Sequence, residues 1–84
     1  MDNELILFST SACENCNIIK RIFREYEVPF IEKNIEGSEE NEKELMNITE
    51  SKKIVPTIKF NNQVYLNIKP HEVLVRISYI KEKL

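Results

Sequence analysis

Cys13 and Cys16 are the only cysteines of the chain, and only Glu14 and Asn15 separate them, in the segment STSACENCNIIKRIF (Ser9–Phe23). Three chemistries use such a pair: metal ligation, a structural disulfide and thiol–disulfide exchange. Structural zinc takes four ligands, and C-x-x-C supplies two. The one histidine, His71, follows Pro70 far along the chain and reads as a surface residue. No metal ligands are assigned, although two copies of the chain could pool four thiolates, so a metal- or cluster-bridged dimeric module stays as the alternative. A Cys13–Cys16 bond closes so short a loop that it removes little entropy from the unfolded chain, which makes it a poor staple.

Exchange suits the surroundings best. Cys13 falls where an apolar run gives way to a helical pattern. Free backbone N–H groups and the positive end of the helix dipole stabilise a thiolate there, and the thiolate is the attacking species. Cys16, one turn on along the same side, is placed to attack a mixed disulfide formed at Cys13. Cys13 is therefore read as the nucleophile and Cys16 as the resolving thiol. Glu14 either raises the thiol pKa by its charge or favours the helix start and points to water; the residues leave both open. Lys20, Arg21 and Arg24 lie further along and read as a solvated face.

The elements that must carry this pair follow from periodicity. Glu4–Ser9 is a continuous apolar run that suits a buried central strand. Ile18, Ile19, Ile22, Phe23 and Tyr26 then mark one face of a helix, which Pro29 bars from continuing. Pro29–Ile35 reads as a second strand. Gly37 is a turn, and Ser38 or Asn41 can cap a helix whose early glutamates and late Lys52 and Lys53 suit its dipole. Pro56–Phe60 and Gln63–Ile68 read as strands around an Asn61–Asn62 hairpin turn. Pro70 opens a last helix with Val73, Leu74, Ile77 and Ile80 on one face. The expected fold is α/β, β-α-β-α-β-β-α: a four-stranded mixed sheet flanked by helices, with the first two strands parallel and the last two an antiparallel hairpin.

A chain of 84 residues is expected to form one domain, residues 1–84. Its 12 basic and 14 acidic side chains sum to −2, which gives no pull toward nucleic acid or an anionic membrane. No apolar run is long enough to span a bilayer. The N-terminal MDNELILFS lacks a basic region and a cleavage site, so it is read as mature sequence and the expected location is cytoplasmic. A monomer is expected.

The stretch IVPTI (Ile54–Ile58) is a second signal. A proline can simply open a strand, where no N–H is needed. Alternatively Val55–Pro56 is cis, faces Cys13 and leaves the Val55 backbone free to pair with an extended substrate segment.

Together, ILFSTSACENC, VPFIEKNIE, IVPTIKFNNQVY and NIKPHEVL resemble the glutaredoxin-like proteins of the thioredoxin superfamily, from about Glu4 to Leu84. The resemblance implies the thioredoxin fold, a cis Pro56 and a solvent-exposed Cys13. It implies an oxidoreductase with no bound cofactor, acting on a disulfide-containing protein and recharged by a flavoprotein reductase (thioredoxin reductase with NADPH) or by glutathione. Thr10, Ser11, Val55 and Thr57 are expected to line the substrate groove with Pro56. The chain departs from the family's usual C-P-Y-C, having Glu14 and Asn15 between its cysteines, and has Thr10 where many glutaredoxins carry a lysine. Leu66–Asn67–Ile68–Lys69 replaces the glycine pair and acidic cap that hold glutathione. NIKPHEVL is instead similar to the GFRPD segment of redoxins that donate electrons to ribonucleotide reductase.

Overall fold

The computed structural model describes residues 4–84; Met1–Asn3, part of the stretch read as mature N-terminus, lie outside it. The elements are β1 (Leu5–Ser9), α1 (Glu14–Glu25), β2 (Ile31–Asn34), α2 (Glu39–Ile48), β3 (Thr57–Phe60), β4 (Gln63–Tyr65) and α3 (Pro70–Lys83). Their order is the expected one. The sheet runs β2-β1-β3-β4, with β1 parallel to β2 and antiparallel to β3, and β3 and β4 joined as an antiparallel hairpin.

The continuous apolar run of β1 follows from its place in the middle of the sheet, where all five residues are buried. Strand alternation divides them between two cores. Leu5 and Leu7 join Ile19, Phe23, Ile58, Val73 and Ile77 on the face covered by α1 and α3. Ile6 and Phe8 join Leu45 of α2 on the other. Among the described residues, no helix is long and apolar enough to cross a membrane.

Several boundaries differ from the sequence expectation. Helix α1 ends at Glu25, so Tyr26, expected on the buried face, caps the helix and is 42% exposed. The Val28 N–H then closes on the Phe23 carbonyl at 2.8 Å, and β2 begins only at Ile31. Ser38 is the cap of α2: its hydroxyl accepts from the Asn41 N–H at 3.2 Å. Lys52 and Lys53 fall beyond the last turn of α2, because the helix closes at Ile48 and Glu50 and Ser51 take positive φ. The hairpin turn is as expected, with Asn61 and Asn62 at φ 55° and 67°, the left-handed pair that a two-residue turn of this twist demands. Strand β4 stops at Tyr65 and not Ile68. Asn67 turns the chain at φ 50°, and the Ile68 N–H leaves the ladder to reach the Pro56 carbonyl at 3.0 Å. On α3, Val73, Ile77 and Ile80 form the inward stripe, while Leu74, one position off it, is 43% exposed.

Candidate active site

Strand β1 ends at Ser9, and four residues later the chain enters α1 with Cys13 as its N-cap. The Cys13 backbone is extended, at φ −83° and ψ 106°, which turns its side chain back over the first turn. The Cys16 N–H donates to Cys13 Sγ at 3.1 Å, so a sulfur occupies the place a serine or aspartate oxygen usually takes. The Cys13 carbonyl accepts the first helical bond, from the Asn17 N–H. The two sulfurs are joined as a disulfide, with Cα atoms 5.2 Å apart. Their surroundings are unequal: Cys13 is partly exposed, whereas Cys16 is fully buried beside Ile19 and Phe23.

The loop leading to Cys13 is tied down on both sides. The Thr10 carbonyl accepts the Cys13 N–H at 3.3 Å. The Ser11 N–H donates to the Glu36 carboxylate at 2.8 Å, Asn34 Nδ2 donates to Ser11 Oγ at 3.2 Å, and the Glu36 N–H donates to Asn34 Oδ1 at 2.8 Å. The backbone bond from Ser11, helped by its side chain, holds the Glu36 carboxyl below the usual range. This clasp joins segments far apart in sequence, and no local pattern announces it. Beneath α1, the Ser9 hydroxyl and Lys20 Nζ both bond the Glu32 carboxylate, at 2.7 and 2.9 Å. Burial pushes the Glu32 carboxyl up, but the bonds from Lys20 and Ser9 outweigh it and the net shift is downward.

The Val55–Pro56 bond is cis. The register Phe8–Thr57 sets Pro56 beside Ser9, at the end of the sheet from which the loop Thr10–Cys13 leaves. Pro56 is buried, and Val55 is half-buried. Among the described residues, the Val55 backbone makes no backbone hydrogen bond. Thr10, Ser11, Val55 and Pro56 are therefore brought to one end of the molecule with Cys13. Thr57 is not available there: it is fully buried opposite Phe8, and its hydroxyl donates to the Ile54 carbonyl at 2.6 Å. Strand parity turns it inward, a consequence of where β3 begins. Among the described residues, no three metal-ligating side chains gather into a site.

A parallel β-α-β joined to an antiparallel hairpin, with a C-x-x-C pair capping the first helix, defines a thioredoxin-fold dithiol protein. The family model for glutaredoxin matches residues 5–65, most of the chain, and the chain belongs to the glutaredoxin family, whose members are thiol–disulfide oxidoreductases. No curated protein matches it. The thioredoxin-like protein BC3987 is similar in structure, with TM-score 0.72 at 16% identity over 96% of this chain and 100% of that one. Buckwheat glutaredoxin, crystallised with glutathione, gives TM-score 0.71 at 16% identity over 98% of this chain and 76% of its own. Glutaredoxin from Archaeoglobus fulgidus gives 0.71 at 18% over 92% and 87%. At these identities the likeness is one of fold.

Proposed function

We propose that the chain reduces protein disulfides through Cys13 and Cys16. The observation that carries this reading is the inequality of the two sulfurs: the one at the helix tip is reachable and receives an N–H, and the other is sealed behind it. In the reduced protein the Cys13 thiolate attacks one sulfur of a substrate disulfide. A mixed disulfide forms, and the first substrate thiolate leaves. Cys16, giving up its proton, then attacks Cys13 Sγ; the second substrate thiolate leaves and the Cys13–Cys16 disulfide forms. The substrate gains two electrons and, from the thiols and water, two protons. The electrons reside on the two sulfurs, so the reaction needs no bound cofactor. The open backbone at Val55 offers an N–H and a carbonyl to an extended substrate segment lying across Thr10 and Ser11, with the buried Pro56 fixing the Val55 backbone from beneath.

The recharging partner is proposed to be a flavoprotein reductase of the thioredoxin reductase type and not glutathione. Leu66 puts a side chain 39% exposed where the family's glycine pair leaves bare backbone, and Lys69 stands in place of an acidic cap. The similarity of NIKPHEVL to ribonucleotide reductase donors makes that enzyme's disulfide the first substrate to try.

Two variants and one recharge assay test these points. Cys13→Ser abolishes reduction of hydroxyethyl disulfide and insulin. Cys16→Ser accumulates a mixed disulfide with substrate, visible by mass spectrometry. Full activity in Cys13→Ser would overturn the assignment. Oxidised protein regains its free thiols with thioredoxin reductase and NADPH; recovery only with glutathione and its reductase would reverse the choice of electron source.

A further inference from the structure

We propose that Glu36 is a specificity-determining residue, whose pinned negative charge makes Cys13 react faster with cationic disulfides than with anionic ones. The inference deepens the oxidoreductase reading and rests on it. Glu36 is 25 residues from Ser11 in sequence, yet its carboxylate accepts the Ser11 N–H at 2.8 Å. Its own N–H is held by Asn34 Oδ1, and Asn34 in turn bonds Ser11 Oγ. The Ser11 bond favours the ionised form, so the charge is present throughout the neutral range.

The position of that charge follows from chain geometry. Only Ala12 separates Ser11 from Cys13, and two chain steps reach at most ~7 Å. With the hydrogen bond added, the carboxylate lies within about 10 Å of the nucleophile's backbone, roughly one Debye length at 0.1 M salt. Lys20, on α1, is taken by Glu32 at 2.9 Å. The Lys69 ammonium makes no ion pair among the described residues, but the Glu72 carboxylate, which accepts the Lys69 backbone N–H at 2.8 Å, sets an opposite charge on the same turn. Glu14, exposed beside Cys13 and free of ion pairs among the described residues, adds to the same sign. A disulfide approaching Cys13 Sγ therefore meets an acidic flank, which draws in positively charged groups and repels carboxylates. The substrate class that fits is a disulfide set among lysines or arginines, and small anionic disulfides are disfavoured.

Single-turnover kinetics with pre-reduced full-length protein test this without any recharging partner. The probes are cystamine (dication), dithiodiglycolate (dianion) and hydroxyethyl disulfide (neutral). Each rate is divided by that of dithiothreitol with the same probe, which removes intrinsic leaving-group differences. The expected cystamine-to-dithiodiglycolate ratio is about threefold or more at low ionic strength and falls toward one at high salt. Glu36→Gln keeps an oxygen for the Ser11 N–H and removes the charge, so the ratio is expected to fall. A general loosening of the loop slows all three probes and cancels. A ratio identical in wild type and Glu36→Gln overturns the proposal. If Glu36→Gln does not fold, a wild-type ratio indifferent to salt overturns it equally well. Failure of wild type to reduce hydroxyethyl disulfide at all strikes the oxidoreductase reading itself.

Discussion

Single side chains around α1 do two separate jobs, chemistry at its tip and anchorage along its flank. Lys20 shows the second. Its ammonium and the Ser9 hydroxyl hold the Glu32 carboxylate, which joins helix to strand beneath the thiols. Burial raises the Glu32 pKa, the bonds from Lys20 and Ser9 lower it by more, and the folded value ends below the ordinary one. Such a group adds stability that is present above its unfolded pKa and lost as pH falls through its folded pKa. Lys20→Met is therefore expected to lower the unfolding free energy measured by urea titration at pH 7, by about 1 kcal/mol or less for a partly screened pair. The deficit shrinks as pH falls toward 3. A deficit independent of pH would mean that Lys20 acts by packing and not by charge. At this scale the sequence carries the thiols openly, because residue type and spacing state their chemistry. It does not carry Glu36, whose partner Ser11 is distant in the chain and whose role depends on two loops meeting.

Elements form where local signals agree and shift where a tertiary contact outbids them. Asn61–Asn62 and Ser38 are legible because turn and cap chemistry lies within a few residues. The end of β4 is not, since the Ile68 N–H is claimed by the Pro56 carbonyl, in the loop before β3. Leu74 reads as core because it is apolar and adjacent to the stripe, yet helix geometry allows only Val73, Ile77 and Ile80 to face the sheet. Thr57 looks like a groove residue until the register with Phe8 turns it inward. Ser38→Ala removes the one side-chain cap of α2 and is expected to cost about 1 kcal/mol. Asn62→Gly relieves a left-handed residue at φ 67° and is expected to raise stability by about a few tenths of a kcal/mol. Thermal melts of the two variants should move in opposite directions. A Ser38→Ala melt matching wild type would place the start of α2 under the control of packing alone.

At the scale of the whole molecule, the strand directions in the sheet β2-β1-β3-β4 put the ends of β1 and β2 and the start of β3 at one end of the sheet. The loop to Cys13, the Glu36 clasp and the Val55–Pro56 bond all come from that end. Sheet order and clasp are long-range outcomes, invisible to periodicity, while element order and fold class follow from alternating apolar patterns. C-x-x-C by itself does not distinguish its ends; the helical pattern that starts at Cys13 does, and the fold makes the inequality physical by burying Cys16 and leaving Cys13 partly exposed. Alkylation of the reduced protein across pH, with the modified cysteine located by mass spectrometry in folded and denatured samples, tests this most directly. The account predicts that the folded protein is modified at Cys13 alone, with a midpoint below the ~8.5 of an ordinary thiol, and that both cysteines react alike once denatured. Modification of Cys16 first, or a folded Cys13 midpoint at or above that of the denatured chain, would contradict it.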